Sequence, residues 1–295
     1  MKRWSVMQAE TQGMAWGLIG VAMFSLTLPL TRVAVLEMNP LFVAIGRAAL
    51  AGLMAVGWLL YTRARLPSLP QLRRLAIVAV GVVYGFPVFS ALAMQTLPAA
   101  HGAIVLGILP LATAVVGALR FRERPSPAFW AMAVLGTVLV ICYALYNGGG
   151  GVVREDVWLL LAIISAALGY SEGGKLSEHM SATAVISWVL ILTLPLNLAL
   201  TWHAMDFEWR QLSSAAVYGF VYVGVISMYV GFMFWYKGLA MGGVARVGQV
   251  QLLQPFLSLF GAYAVLGEPI TMVNVLFASA VLLTVVLGKR TAVVV

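Results

Sequence analysis

Gly169-Tyr170-Ser171-Glu172-Gly173 reads as G-x-S-x-G, the pattern that exposes a nucleophilic serine on a sharp strand-to-helix turn. That elbow needs a strand before the serine, whereas Ser171 falls inside a long apolar run of helical length. Intramembrane serine proteases of the rhomboid type have a glycine directly after the serine, where this chain has Glu172. Hydrolysis at Ser171 is therefore the weaker reading. Glu172 lies three residues before Lys175 and seven before His179 on one helical face, so an i, i+3 charge pair closing one end of a pathway is the simplest use for it. A carboxylate that carries protons is the alternative. The chain has no G-x-x-x-x-G-K-[ST] loop for nucleotide phosphates and no H-E-x-x-H zinc motif, and His101 has no second His, Cys or acid at ligand spacing. We therefore expect no metal and no cofactor, and read His101 as a vestibule residue.

Other polar side chains recur within apolar stretches. Tyr218, Tyr222, Tyr229 and Tyr236 are offset by 4, 11 and 18 residues, which places them within about 40° on one helical face. A phenol at mid-depth needs a partner or water, so the middle tyrosines should face an interior, with Tyr84 and Gln95 forming the matching face of an earlier helix. Gln251, Gln254 and Ser258 fall within about 60° of each other. Beside Pro255 they read either as glue between helices or as the wall of a wet pocket. Arg47 stands about seven residues into its run, too deep to be casual: it snorkels, pairs inside the bundle with Glu37 as the nearest acid in sequence, or touches substrate directly. Ser25, Pro29 and Arg32 share a face near the end of the first run.

The elements that must hold these groups are membrane helices. With 62% hydrophobic and only 9% charged residues over 295 positions, the chain lacks the surface of a water-soluble globule. Ten apolar runs can be drawn at 13–35, 40–62, 74–96, 100–120, 126–146, 156–177, 183–203, 214–237, 244–266 and 271–289, each near the roughly 20 residues that cross a bilayer. If all ten cross, the N-terminus and every second loop hold fourteen Lys and Arg, from Lys2 and Arg3 to Lys289 and Arg290, against Arg32, Arg154 and Arg210 on the other side. The net charge of +8 thus records topology, with both termini cytoplasmic, rather than a nucleic-acid surface. Cys142 has no partner for an internal disulfide, and the first apolar run is too long for a signal-peptide core, so we read it as a retained helix.

The chain is also written twice. Leu109-Pro110 with Glu123 thirteen residues after the proline returns as Gln254-Pro255 with Glu268, a shift of 145 that also maps Tyr84 on Tyr229 and Phe89 on Phe234. Two copies of five spans each must face each other upside down, as in many secondary transporters. The division is a first five-helix repeat over 1–147, a glycine-rich linker at 148–155 and a second repeat over 156–295. Pro29, Pro110 and Pro255 lie inside apolar runs. Pro110 frees a carbonyl near Leu106 and Pro255 one near Gln251, equivalent places that read as paired hinges or as packing kinks. Gly13 with Gly17, Gly81 with Gly85, and Gly169 with Gly173 offer close helix contacts.

Trp16-Gly17, Arg32, Pro40, the run Arg47-Ala48-Ala49-Leu50-Ala51 and the twofold Pro…Glu pattern together resemble the EamA branch of the drug/metabolite transporter superfamily over essentially the whole chain. Within it the chain is similar to the YddG type of bacterial aromatic amino acid exporter. The resemblance implies an all-α membrane protein of ten transmembrane helices in two inverted repeats, with helices 1, 3, 4, 6, 8 and 9 around a cavity opened alternately to each side. The second repeat has Leu190 where Arg47 maps, and Leu106 and Leu109 stand where the glutamines of the second repeat would map, so the cavity should be chemically lopsided. The expectation is an inner-membrane exporter of small amphipathic metabolites, chiefly aromatic or bulky apolar amino acids. Ser25, Tyr84, Gln95, His101, Tyr222, Tyr229, Tyr236, Gln251, Gln254 and Ser258 would form the cavity, and Arg47, Glu172 and Lys175 its gating charges. A multidrug or other metabolite carrier is the alternative. Its partners are the lipid bilayer and a small molecule.

Overall fold

A computed structural model describes residues 2–121, 124–147, 154–242, 247–290 and 293–294. Ten helical rods make up almost all of the described residues. They are α1, Thr11–Val35; α2, Pro40–Thr62; α3, Leu69–Met94; α4, running through Ala99–Val105, Leu106–Ile108 and Leu109–Phe121; and α5, Pro127–Asn147. Then come α6, Arg154–Leu176; α7, Ala182–His203; α8, Ser214–Gly242; α9, Gly248–Leu253 continued by Gln254–Leu266; and α10, Met272–Arg290. Six of them, α1, α2, α3, α6, α7 and α8, are long and apolar enough to cross a membrane, and α4, α5, α9 and α10 carry shorter apolar stretches. A two-residue pairing of Arg124–Pro125 with Val293–Val294 is the only strand contact among the described residues. Most of the glycine-rich linker, 148–153, and Glu123 of the repeated motif lie outside the described residues, and α6 already starts at Arg154.

Local chemistry sets the helix ends. Asn39 accepts the Leu41 N–H at 2.9 Å with Pro40 at the first helical position, and Ser181 and Ser213 each accept an N–H of the first turn of α7 and α8. Gly267, at φ +68, closes α9 in the left-handed region that a glycine adopts without strain.

The interior prolines act where the sequence placed them. Before Pro110 the chain tightens into a 3-10 turn at Leu106–Ile108, and before Pro255 into one at Gly248–Leu253. Each proline lacks the N–H that would hold the carbonyl one turn back, and the narrower turn is how the chain adapts. Adding 145 to the first break gives 251–253, inside the second. Two wide π turns obey the same shift: Ala79–Gly85 in α3 falls on 224–230, inside Tyr222–Val230 of α8.

The glycine pairs serve close packing. A Cβ on Gly238 would sit 2.7 Å from the Gly17 nitrogen, and one on Gly13 2.6 Å from the nitrogen of Gly242, so the start of α1 lies against the end of α8. In the same way Gly81 presses on Ser165 and Gly169, joining α3 to α6. Helix α2 packs on α7, α4 on α9 and α5 on α10. Each pair joins helices at equivalent places in the two halves, and start meets end: Asn39, before α2, donates to Asp206, after α7, at 2.8 Å, and Tyr143, near the end of α5, donates to Asn274, near the start of α10.

Candidate functional site

At the centre of the bundle Phe24, Thr27, Arg47, Phe86, Tyr170, Phe232 and Gln254, with leucines of α1 and α4, surround a cavity of about 10 Å³. That is about one water, so the centre is closed. Its walls are aromatic: the rings of Phe24 and Tyr170 stack with centroids 6.2 Å apart, and Phe232 lies 5.1 Å from Phe24 and 5.8 Å from Tyr170. Trp235 and Tyr236 extend the cluster behind them. Phe86, Tyr170 and Phe232 each follow a glycine directly. Gly85 presses on Ser165, Gly169 on Val82 and Gly231 on Phe24, and about 100° further round each helix the next side chain is free to project inward. The sequence holds five Gly-aromatic pairs, and Gly57-Trp58 and Gly219-Phe220 do not line the cavity, so the dipeptide alone does not mark its rings.

Two of the expected site residues reach the cavity wall, Arg47 and Gln254. Arg47 is 2% exposed, and its Nε and Nη1 have no hydrogen-bond partner. The expected pair with Glu37 is not made. Glu37 instead accepts the Ser213 N–H at 2.7 Å and its hydroxyl at 2.5 Å, capping α8 from the loop between α1 and α2. Gln251, one turn before Gln254, is also buried, with neither amide atom partnered, and Ser258 is buried further along α9.

The tyrosines go elsewhere. Tyr222 donates to the Met23 carbonyl of α1 at 3.1 Å, Tyr229 bonds Ser187 of α7 at 2.9 Å, and Tyr236 donates to the Gly169 carbonyl of α6 at 3.1 Å. One stripe thus meets three neighbours, because the π turn Tyr222–Val230 breaks the 100° periodicity on which the single-face reading depended. Tyr84 is half-buried within the other π turn and does not reach the cavity wall. Ser25 is satisfied within its own helix by the Ala22 carbonyl. Gln95 is exposed at the end of α3, so it belongs to the rim and not to the interior.

Charges cluster at the two ends. Glu172, 1% exposed, accepts from Arg74 Nε at 2.9 Å and Arg120 Nε at 2.6 Å, tying α6 to α3 and α4. The expected Glu172–Lys175 pair gives way to this arrangement, and Lys175 Nζ lies 3.1 Å from Glu178 instead. A helical i, i+3 pair holds one helix to itself, whereas two arginines from other helices answer the desolvation of a buried carboxylate more fully. At the other end Glu268 accepts the N–H groups of Ala99 and Ala100 at 2.9 and 2.7 Å, capping α4, and Arg32 Nε stands 3.6 Å from it. Arg32 also donates to the Met94 and Leu97 carbonyls at the end of α3. Beside this knot a pocket of about 470 Å³ opens between α4, α5 and the loop after α9, lined by His101, Tyr143 and Asn274 among others. His101 lines this pocket and pairs at 2.7 Å with Asp156. Ser171 lies mid-helix with its hydroxyl turned to the Thr113 carbonyl at 3.3 Å, and no strand-turn-helix elbow forms there.

Known proteins fit this arrangement. Residues 11–145 and again 153–288 match the model of the EamA-like transporter family. The chain is 45% identical, over 97% of its length and the whole of the relative, to an uncharacterized transporter, YdeK, of Bacillus subtilis (strain 168). It is 26% identical to a probable amino-acid metabolite efflux pump of Salmonella typhimurium, covering 90% of each chain, and 25% identical to an S-adenosylmethionine/S-adenosylhomocysteine transporter of Chlamydia muridarum, covering 83% of this chain and 81% of that one. A solved crystal structure that shares 18% sequence identity has the same fold, with a TM-score of 0.67 over 95% of this chain and 99% of that one.

Proposed function

This chain belongs to the EamA-like transporter family and is a multi-pass membrane transporter, and on that premise we propose that it exports small amphipathic metabolites, chiefly aromatic or bulky apolar amino acids, across the bacterial cytoplasmic membrane. The observation that carries the cargo class is the aromatic wall of Phe24, Phe86, Tyr170 and Phe232 around a polar lining of Arg47, Thr27 and Gln254. Such a lining offers contacts to both an apolar body and a polar head once the centre opens. The relatives named for an amino-acid metabolite and for S-adenosylmethionine agree with it, since S-adenosylmethionine joins an α-amino carboxylate to a larger group.

In this reading all ten rods cross the membrane, the two halves are inverted repeats, and both termini lie in the cytoplasm. The repeated π and 3-10 breaks and the start-to-end contacts between counterpart helices support the inversion. The charge knots act as alternate gates. Glu172 with Arg74 and Arg120 closes the cytoplasmic side, and Arg32 with Glu268 the outer side. Pro29, Pro110 and Pro255 are the hinges, because the helix is already broken or narrowed beside each. Tyr222, Tyr229 and Tyr236 position the walls rather than touch the cargo.

Counterflow of labelled phenylalanine or tryptophan into proteoliposomes tests the reading. Each ring contributes about 0.5–1.5 kcal/mol beyond its area, so Phe24→Ala with Phe232→Ala should weaken apparent affinity by roughly tenfold. Unchanged counterflow in that double variant removes the cavity from the path. A multidrug carrier is the second reading, and there cationic dyes rather than amino acids would exchange.

A further inference from the structure

A guanidinium taken out of water without a counter-charge is among the more costly arrangements a protein can hold. Arg47 is such a group: 2% exposed, on the wall of the central cavity, with Nε and Nη1 unpartnered and no acid within ion-pair distance among the described residues. Every other charge described near the bundle axis has an answer, Glu172 from two arginines and Arg32 from two carbonyls and Glu268. Neither packing nor capping explains Arg47, since the groups beside it in the cavity are rings, leucines, a valine, a threonine and a glutamine.

We propose that Arg47 is the specificity-determining residue of the central cavity, held unpaired so that the carboxylate of the cargo completes its hydrogen bonds. This rests on the cargo reading above and narrows it. The ligand class becomes molecules with an aromatic or bulky body and a carboxylate or similarly compact anion, and lipophilic cations are excluded. A planar guanidinium takes a carboxylate through two parallel N–H bonds, and the rings of Phe24, Tyr170 and Phe232, which line the same cavity, pack on the body once the centre opens to admit it. The empty carrier bears an uncompensated buried charge that the loaded one does not. Cargo therefore stabilises the state that encloses it, and emptying destabilises that state.

Three indole compounds separate the terms on the full-length wild-type protein: tryptophan, indole-3-propionate without the amine, and tryptamine without the carboxylate. Binding is read as the rise in unfolding temperature in detergent and as competition for tryptophan counterflow. Tryptophan and indole-3-propionate should stabilise and compete, with tryptamine at least tenfold weaker. Arg47→Met should unfold at a higher temperature than the wild type when empty, and lose the tryptophan-induced rise, while Arg47→Lys keeps part of both. Equal competition by tryptamine in the wild type overturns the proposal. So does tryptophan binding by Arg47→Met within threefold of wild type. If none of the three indoles binds the wild type, the cargo reading falls and this one with it, a result distinct from indifference to the carboxylate. The wild-type series holds even if a variant fails to fold.

Discussion

At the scale of single residues the bundle separates glycines that fill a role from those that do not. A Cβ at Gly173 of α6 would collide with the ring and hydroxyl of Tyr236, whereas one at Gly57 of α2 would meet nothing within 4 Å. Gly173→Ala should therefore cost about 1–3 kcal/mol of stability through overpacking. Gly57→Ala should instead gain about 0.5–1 kcal/mol from helix propensity. Thermal unfolding of the two variants side by side checks both signs. Residue types were legible from the sequence more than residue partners. Glu172 stood out as a buried acid, yet its partners Arg74 and Arg120 are 98 and 52 positions away, and only the fold brings them to it. Arg47 was legible as a charge too deep to be casual. That it is unpaired was not, because Glu37, ten positions earlier, supplied a plausible partner until the cap on α8 claimed it.

At the scale of elements the link between α8 and the loop after α1 depends on that same carboxylate. Glu37 lies in an exposed loop, and the hydrogen bonds from the Ser213 hydroxyl and N–H hold its carboxyl below the usual value of 4.5. A depressed carboxylate contributes stability that is fully present above its ordinary range and disappears as pH falls through the lower folded value. The wild type should thus lose unfolding temperature faster than Glu37→Gln does as pH falls below about 5. Parallel curves for the two proteins would remove the cap from the acid response. The proline breaks were readable only in part: Pro110 and Pro255 stand beside narrowed turns, whereas Pro195 lies inside the unbroken α7. The π turns were not readable. Ala79–Gly85 and Tyr222–Val230 carry glycine and β-branched residues, but that composition does not say how the turn widens, and one such turn was enough to scatter a stripe of tyrosines over three neighbouring helices.

At the scale of the whole molecule the ten-crossing topology has a direct test. In a Cys142→Ser background, an impermeant maleimide added to intact cells should label Gln211→Cys, in the loop before α8, and leave Ala64→Cys, in the loop after α2, unlabelled until the membrane is opened. The reverse pattern, or equal labelling, would refute the assignment of sides. Apolar runs and their order were legible because a bilayer demands long, weakly charged helices and leaves few alternatives. Which ring faces the centre depended on glycine contacts between distant segments, and no periodicity within one helix contains that information.

The counterpart helices that meet start to end are also what a pair of identical five-helix subunits, inserted in opposite senses, would build. In such an ancestral pair every side chain would occur twice, and a zwitterion would find two equivalent poses. Joined in one gene, the halves are free to diverge: any shift from 142 to 145 carries position 47 onto Val189, Leu190, Ile191 or Leu192, all aliphatic. On the proposed cargo reading, a single guanidinium on one side of the axis leaves a carboxylate one orientation, and would give a nearly symmetric scaffold a polarity that no homodimer could acquire.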